Sequence, residues 1–229
     1  MKKTLELTLK QAQDIYKTAD ASVKEILEAN FGKMDLICRP LGVWCLTKDS
    51  RAVKTEDWDS KDTSIGVGVV TENTSFIVHL EPQAALPLGS TDVVKYYDDI
   101  VYDTTTYDNL RATIAIAKAH EGKKGEMWDN DKFPFVGAPA AEYCLKKTAA
   151  LPTLATAKEI AANINTINEA MLVVGGTVVC GWLWTSTIKK NNACAFVVLT
   201  TYGDVGYDNR DSSYNARAVS AFHIEDFKF

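Results

Sequence analysis

Residues 181–222 read GWLWTSTIKKNNACAFVVLTTYGDVGYDNRDSSYNARAVSAF. Apolar, strand-like pieces frame this stretch: Trp182 and Trp184, then residues 195–200, then 216–222. Between the last two lies 202–215, composed almost wholly of Tyr, Asp, Asn, Ser and Gly with a single Arg. Binding surfaces use this alphabet, because tyrosine gives large, stiff, amphipathic contact area while Ser, Asn and Gly give adaptable hydrogen bonding. The same small polar residues also favour turns for backbone reasons, so an ordinary hydrophilic hairpin is the competing reading. Tyr202, Tyr207 and Tyr214 weigh toward binding, since a loop chosen only for turning has little use for rings. The face expected to bind is Lys189, Asn191, Asn192, Thr201, Tyr202, Asp204, Tyr207, Asp208, Asn209, Arg210, Asp211, Ser213, Tyr214 and Asn215.

Working toward the N-terminus, the apolar period changes from 2 to 3.6 at Gly175-Gly176. Residues 155–174 are expected to be helical in two pieces, and Pro139 at a first-turn position opens a short helix through Lys147. The segment 122–137, GKKGEMWDNDKFPFVG, reads as a long polar loop carrying aromatics. A helix over 107–119 has Asp108 near its start and Leu110, Ile114, Ala115 and Ala117 as its apolar face. Residues 82–105, with Pro82, Pro87, Gly89 and repeated Asp and Thr, read as mostly irregular. The clearest hairpin is 64–81, with Ile65, Val67 and Val69 facing Phe76, Val78 and Leu80 across a bend at Glu72-Asn73.

Ahead of that hairpin, 34–62 passes from apolar to charged, as one or two strands followed by a connecting segment would. Residues 8–31 read as a helical hairpin in which Ser22-Val-Lys-Glu25 is a capping box for the second helix. The expected organisation is an N-terminal helical segment (1–33), connecting strands or linker (34–62) and a binding domain (63–229).

The chain has 229 residues, 46% hydrophobic and 24% charged, which suffices for a proper core. A net charge of −5 argues against nucleic acid or an anionic membrane as a partner held by bulk electrostatics. No run approaches the roughly 18 apolar residues of a membrane span, so no membrane insertion is expected. The sequence MKKTLELTLKQAQ lacks an apolar core behind its lysines, so it does not read as a secretory signal. Five cysteines, Cys38, Cys45, Cys144, Cys180 and Cys194, sit in apolar runs and read as buried free thiols of a chain made in a reducing cytoplasm.

The order of motifs from about 64 to 223 carries a resemblance. It includes Pro139-Ala-Ala-Glu-Tyr-Cys144, Leu151-Pro-Thr153, Ile167-Asn-Glu-Ala170 and Gly175-Gly-Thr177. Then come Gly181-Trp-Leu-Trp-Thr-Ser-Thr187, Gly203-Asp-Val205 and Arg217-Ala-Val-Ser-Ala-Phe222. This resembles the C-type-lectin-fold domains of gut bacteria and their phages, whose hallmarks are a Trp-Ser-Ser-Thr motif and a terminal Arg-Pro-Val-Arg-Ala-Phe motif. Some of these are the variable proteins of diversity-generating retroelements. The resemblance covers about two thirds of the chain, and the N-terminal helices resemble a segment found ahead of such domains. It departs from the pattern at Thr185 and Ala218.

The resemblance implies an α+β class and a C-type lectin-like fold, short helices around twisted antiparallel sheets, preceded by a small N-terminal helical segment. It places Trp182, Trp184, Phe196 and Phe222 in the core and 188–215 on the surface. The Asn, Tyr, Asp and Ser bias of 202–215 matches what adenine-directed mutagenesis leaves, and equally what an undiversified binding face shows.

Catalytic patterns are weak. His79, His120 and His223 are far apart and none pairs with Cys or Glu at metal spacing, so no metal or cofactor is expected. Glu81-Pro-Gln83 and Trp128-Asp-Asn-Asp131 look like the sugar-binding triplets of calcium lectins but stand in the wrong order for the fold, leaving 128–131 at most a weak site for calcium, an oxygen-seeking ion. The fold also hosts formylglycine-generating enzymes, yet Cys180 and Cys194 lack basic neighbours that would activate a thiol. Two functions remain: a non-enzymatic receptor-binding or adhesion protein of a phage tail or cell surface that grips a host-surface protein or glycan, and a structural virion or surface-assembly protein. Either is expected to be a homo-oligomer.

Overall fold

Seven residues of strand propensity, Trp182–Ile188, pair antiparallel with Cys194–Leu199, and this pair is the middle of a sheet. The computed structural model describes residues 9–31, 40–128, 133–190 and 193–229. In chain order its strands are β1 (Gly42–Thr47), β2 (Ala52–Val53), β3 (Ser64–Val70), β4 (Ser75–Val78), β5 (Ala84–Pro87), β6 (Lys124–Glu126), β7 (Pro134–Val136), β8 (Trp182–Ile188), β9 (Cys194–Leu199), β10 (Val205–Asn209), β11 (Ser213–Ala216) and β12 (Val219–Ala221). The helices are α1 (Leu9–Thr18), α2 (Ala21–Phe31), α3 (Asn109–His120), α4 (Pro139–Leu145), α5 (Leu154–Ala162) and α6 (Ile164–Val173). The class is α+β.

The chain divides into two units, Met1–Pro40 and Leu41–Phe229. In the first, Ala12 and Leu27 pack together with Tyr16 between α1 and α2. The cap of α2 is Asp20 rather than the expected Ser22: Asp20 Oδ1 accepts from Val23 N at 3.0 Å and Ser22 N at 3.1 Å.

In the second unit, one sheet runs β12-β4-β3-β1-β2 and the other β10-β9-β8-β11-β5, and β6 and β7 form a separate ribbon. The expected hairpin is β3–β4, with Val67 opposite Val78 and Val69 opposite Phe76. The one or two strands expected within 34–62 are β1 and β2. Here β1 pairs along β3, and Val43 and Cys45 enter the core, because the alternating apolar residues of Val43–Leu46 need a partner sheet. Residues 34–39 lie outside the described residues. Residues 82–105 are mostly irregular, as expected, but Ala84–Pro87 pairs with β11 at the sheet edge, where Pro87 is tolerated.

The two largest cores among the described residues follow from the faces. Ile160, Ile164, Ile167 and Met171 pack on Val43, Val67, Val69, Phe76 and Val78 of the first sheet. The second sheet packs Trp184, Ala195, Val197 and Ala216 against Ile116, Ala119, Ala140 and Cys144. α3 buries Ala112, Thr113, Ile116, Ala119 and His120, one step round from the expected face, and Leu110 is exposed. Its cap is Asp108, as expected, accepting from Arg111 N at 3.1 Å.

The Trp184-Thr-Ser-Thr187 motif is a ladder interruption with a job. The β8–β9 register shifts between Trp184 and Ile188, so backbone groups there turn to other partners. Ser186 N donates to Pro152 O at 2.8 Å, Thr187 Oγ1 accepts from Leu154 N at 2.9 Å, and Thr185 Oγ1 donates to Phe196 O at 2.9 Å. Thr187 thus satisfies one first-turn donor of α5, while Thr153 Oγ1 accepts from Thr156 N as its cap. The motif holds Leu151-Pro-Thr153 against the sheet and so fixes where α5 begins.

Candidate functional site

The expected binding residues divide into an outward set on β10 and its neighbouring turn and loop, and an inward set centred on β11, two strands that β9 and β8 separate in the sheet. β10 is the edge strand, paired to β9 with Tyr207 opposite Phe196 and Asp208 opposite Ala195. Tyr207 is 56% exposed and Tyr202, in the β9–β10 turn, is 79% exposed. Thr201, Asp204 and Asn209 are also exposed and Lys189 is half-buried. The Lys189 ammonium stands 3.2 Å from the Tyr207 ring centroid, a cation–π pair that covers one side of the ring. These six residues form the outward set: one edge strand, its turn and a lysine from the neighbouring loop.

The remaining expected residues turn toward the protein. Tyr214 meets Trp184 edge to face, centroids 5.0 Å apart, and its hydroxyl donates to Asp208 Oδ2 at 2.7 Å. Asn215 Nδ2 donates to Cys180 O at 3.1 Å, and Ser213 and Asp211 are half-buried. Asn191 and Asn192 lie outside the described residues.

Arg210 is a correction. It is fully buried, so it is not part of a contact surface. Its Nε donates to Ala193 O at 2.8 Å, Nη2 to Val93 O at 2.6 Å and to Thr91 O at 3.2 Å, and Nη1 to the Tyr96 hydroxyl. Its own carbonyl accepts from Leu88 N and Gly89 N. One side chain therefore ties the β10–β11 turn, the loop before β9 and the 90–96 loop together. A planar fork of five donors is suited to several carbonyls at once, which the sequence pattern of a polar loop does not reveal.

Behind Arg210 the Tyr96 hydroxyl also meets His120 Nε2 at 2.9 Å, and Gly89 is where a Cβ would lie 2.4 Å from the His120 ring. Burial, then the Arg210 charge, pushes the His120 imidazole down to about 3. It is neutral in the native state and titrates near 6.5 when unfolded. The unfolded chain therefore binds a proton that the native protein does not. This contribution is complete above about pH 6.5 and is lost as pH falls toward 3, at up to about 1.4 kcal/mol per pH unit. The unfolding midpoint of His120→Phe is expected to fall less steeply than that of the wild type between pH 6.5 and 4. Parallel curves from guanidinium titrations would contradict this assignment.

No group of three or more metal-ligating side chains occurs among the described residues. Cys45, Cys144 and Cys194 are buried free thiols, with Cys144 pushed up to about 12 by burial. Cys180, expected to be buried, is exposed, because it lies in the irregular segment before β8 rather than in the strand. Cys38 lies outside the described residues. No helix among the described residues is long and apolar enough to cross a membrane.

A feature that sequence reasoning missed adjoins the β10–β11 turn. A cleft of about 1120 Å³ is lined by the 90–92 loop, the β6–β7 ribbon, Trp128 and Asp211. The aromatics of 122–137 were its only signal, and they read as loop because neither three-residue strand shows a period. Compared with family models, curated proteins and solved structures, the chain finds no match in any of the three.

Proposed function

We propose that this protein is a non-enzymatic ligand-binding and adhesion module, a receptor-binding component of a phage tail or cell surface, built on a C-type-lectin-like scaffold. Its ligand is a host-surface protein or glycan. The observation that carries this reading is the outward set on the edge strand: Tyr202, Tyr207 with Lys189, and exposed Thr201, Asp204 and Asn209. Tyr207 and Asn209 sit on backbone paired to β9 along the whole of β10, and Tyr202 sits in the turn closed by Gly203 N donating to Leu199 O and Leu199 N to Asp204 O, so the rings are offered at little entropic cost on binding. Exposed Ile15, Val23 and Ile26 in the N-terminal helical unit favour self-association there. Oligomers would raise avidity by roughly 10² or more.

The test is retention of fluorescently labelled protein on a glycan array and on a panel of intact bacterial cells. A tyrosine anchor is worth about 2 kcal/mol. Tyr202→Ala/Tyr207→Ala is therefore expected to weaken retention at least tenfold, with Tm within about 2 °C of wild type because both side chains are exposed. Undiminished retention by the double variant would overturn the proposal.

A further inference from the structure

We propose that the cleft beside the β10–β11 turn is a second docking site, one that takes a basic segment of a partner protein and seats an arginine or lysine side chain against Trp128. It stands apart from the tyrosine edge: of the residues expected to bind, only Asp211 lines it.

Three observations commit the cleft to this occupant. The first is size. At about 1120 Å³ it lies just above the roughly 300–1,000 Å³ range of small-molecule pockets, with room for several residues of an extended chain.

The second is the indole. Trp128 is 76% exposed, yet its backbone is fixed, its N–H donating to Asp211 O at 3.1 Å while Met127 N donates to Phe133 O at 2.9 Å. An exposed Trp on a held backbone is the strongest of the aromatic platforms for a cation. Phe135 adds a second ring to the lining, and it lies so close over Gly125 that a Cβ there would sit 2.4 Å from it.

The third is charge. Among the described residues the lining carries the exposed carboxylates of Asp92 and Glu126 and the half-buried one of Asp211 against the ammonium of Lys124, on a chain of net charge −5. A basic segment is drawn in by this field, an anionic one is repelled, and an uncharged sugar gains nothing from it. The wall bearing Asp92 is held by Arg210, which grips the carbonyls on either side of it, at Thr91 and Val93. The acidic lip is thus set in place before a ligand arrives.

The test uses the full chain and a capped Ser-Arg-Gly-Arg-Ser peptide, following the indole N–H resonance of Trp128 by NMR. That resonance is assigned by its absence from Trp128→Phe. The expected result is a saturable shift at low salt with Kd on the order of 1 mM, moving to at least about tenfold weaker binding when citrulline replaces arginine. The same loss is expected in Asp92→Asn/Glu126→Gln, whose exposed positions leave the remaining amide resonances unmoved. An equal response to the citrulline peptide, an unchanged response in the double variant, a response to cellopentaose instead, or no shift at about 10 mM peptide would each overturn the proposal.

Discussion

Arg210→Ala is expected to lose about 3–5 kcal/mol of stability, the cost of breaking a buried charged network from one side. The side chain is fully buried, and its removal strands the Ala193, Thr91 and Val93 carbonyls and the Tyr96 hydroxyl. Each buried acceptor left without a donor costs about 1–3 kcal/mol before any cavity is counted. Arg210→Lys keeps the charge but has one nitrogen where three now reach different acceptors, so it is expected to recover less than half of the loss. Urea titration checks both. A loss under about 1 kcal/mol for Ala would place Arg210 at the surface, where it was first expected.

Trp184→Ala is expected to be equally severe, about 4 kcal/mol. Truncating a fully buried Trp costs about 3–5 kcal/mol through lost transfer energy and the cavity left behind. Trp184 is fully buried, its Nε1 donates to Leu86 O at 2.8 Å, and its ring meets Tyr214 edge to face. Those contacts join β8 to β5 and β11, where β11 meets β8 through only a short parallel pairing. Trp184→Phe keeps most of the ring and loses the N–H, so about 1–2 kcal/mol is expected from the orphaned Leu86 carbonyl. Near-equal losses for Phe and Ala would mean that the hydrogen bond, and not the packing, carries the site.

Much of the frame was legible because period and caps are local. The β3–β4 hairpin, the break between α5 and α6 and the Asp108 cap all stand where the pattern places them. What was not legible depends on long-range partners. β5 was hidden because Ala84–Pro87 has no alternation of its own and becomes a strand by pairing with Tyr214 and its neighbours. The inward face of α3 was misjudged because Thr113 and His120 are buried by hydrogen bonds to Leu151 and Tyr96, which hydrophobicity does not count.

The same blindness applies at the candidate site. In 202–215 every polar residue looks like surface, and composition cannot tell that Tyr207 points out, Tyr214 packs on Trp184 and Arg210 is the brace beneath. Arg217, in the 216–222 piece that reads as apolar frame, is a second buried guanidinium. It is 1% exposed, its Nη2 donates to Thr177 O at 2.9 Å, and burial pushes its guanidinium down to about 10.

Hydroxyl-radical footprinting of the tyrosines, on the free protein and on protein retained by a cell surface, tests the binding edge most directly. Tyr202 and Tyr207 are expected to label fast when free and to be protected when bound, while buried Tyr96 and half-buried Tyr214 label slowly in both. Slow labelling of Tyr207 in the free protein, or fast labelling of both outward tyrosines in the retained protein, would contradict the account.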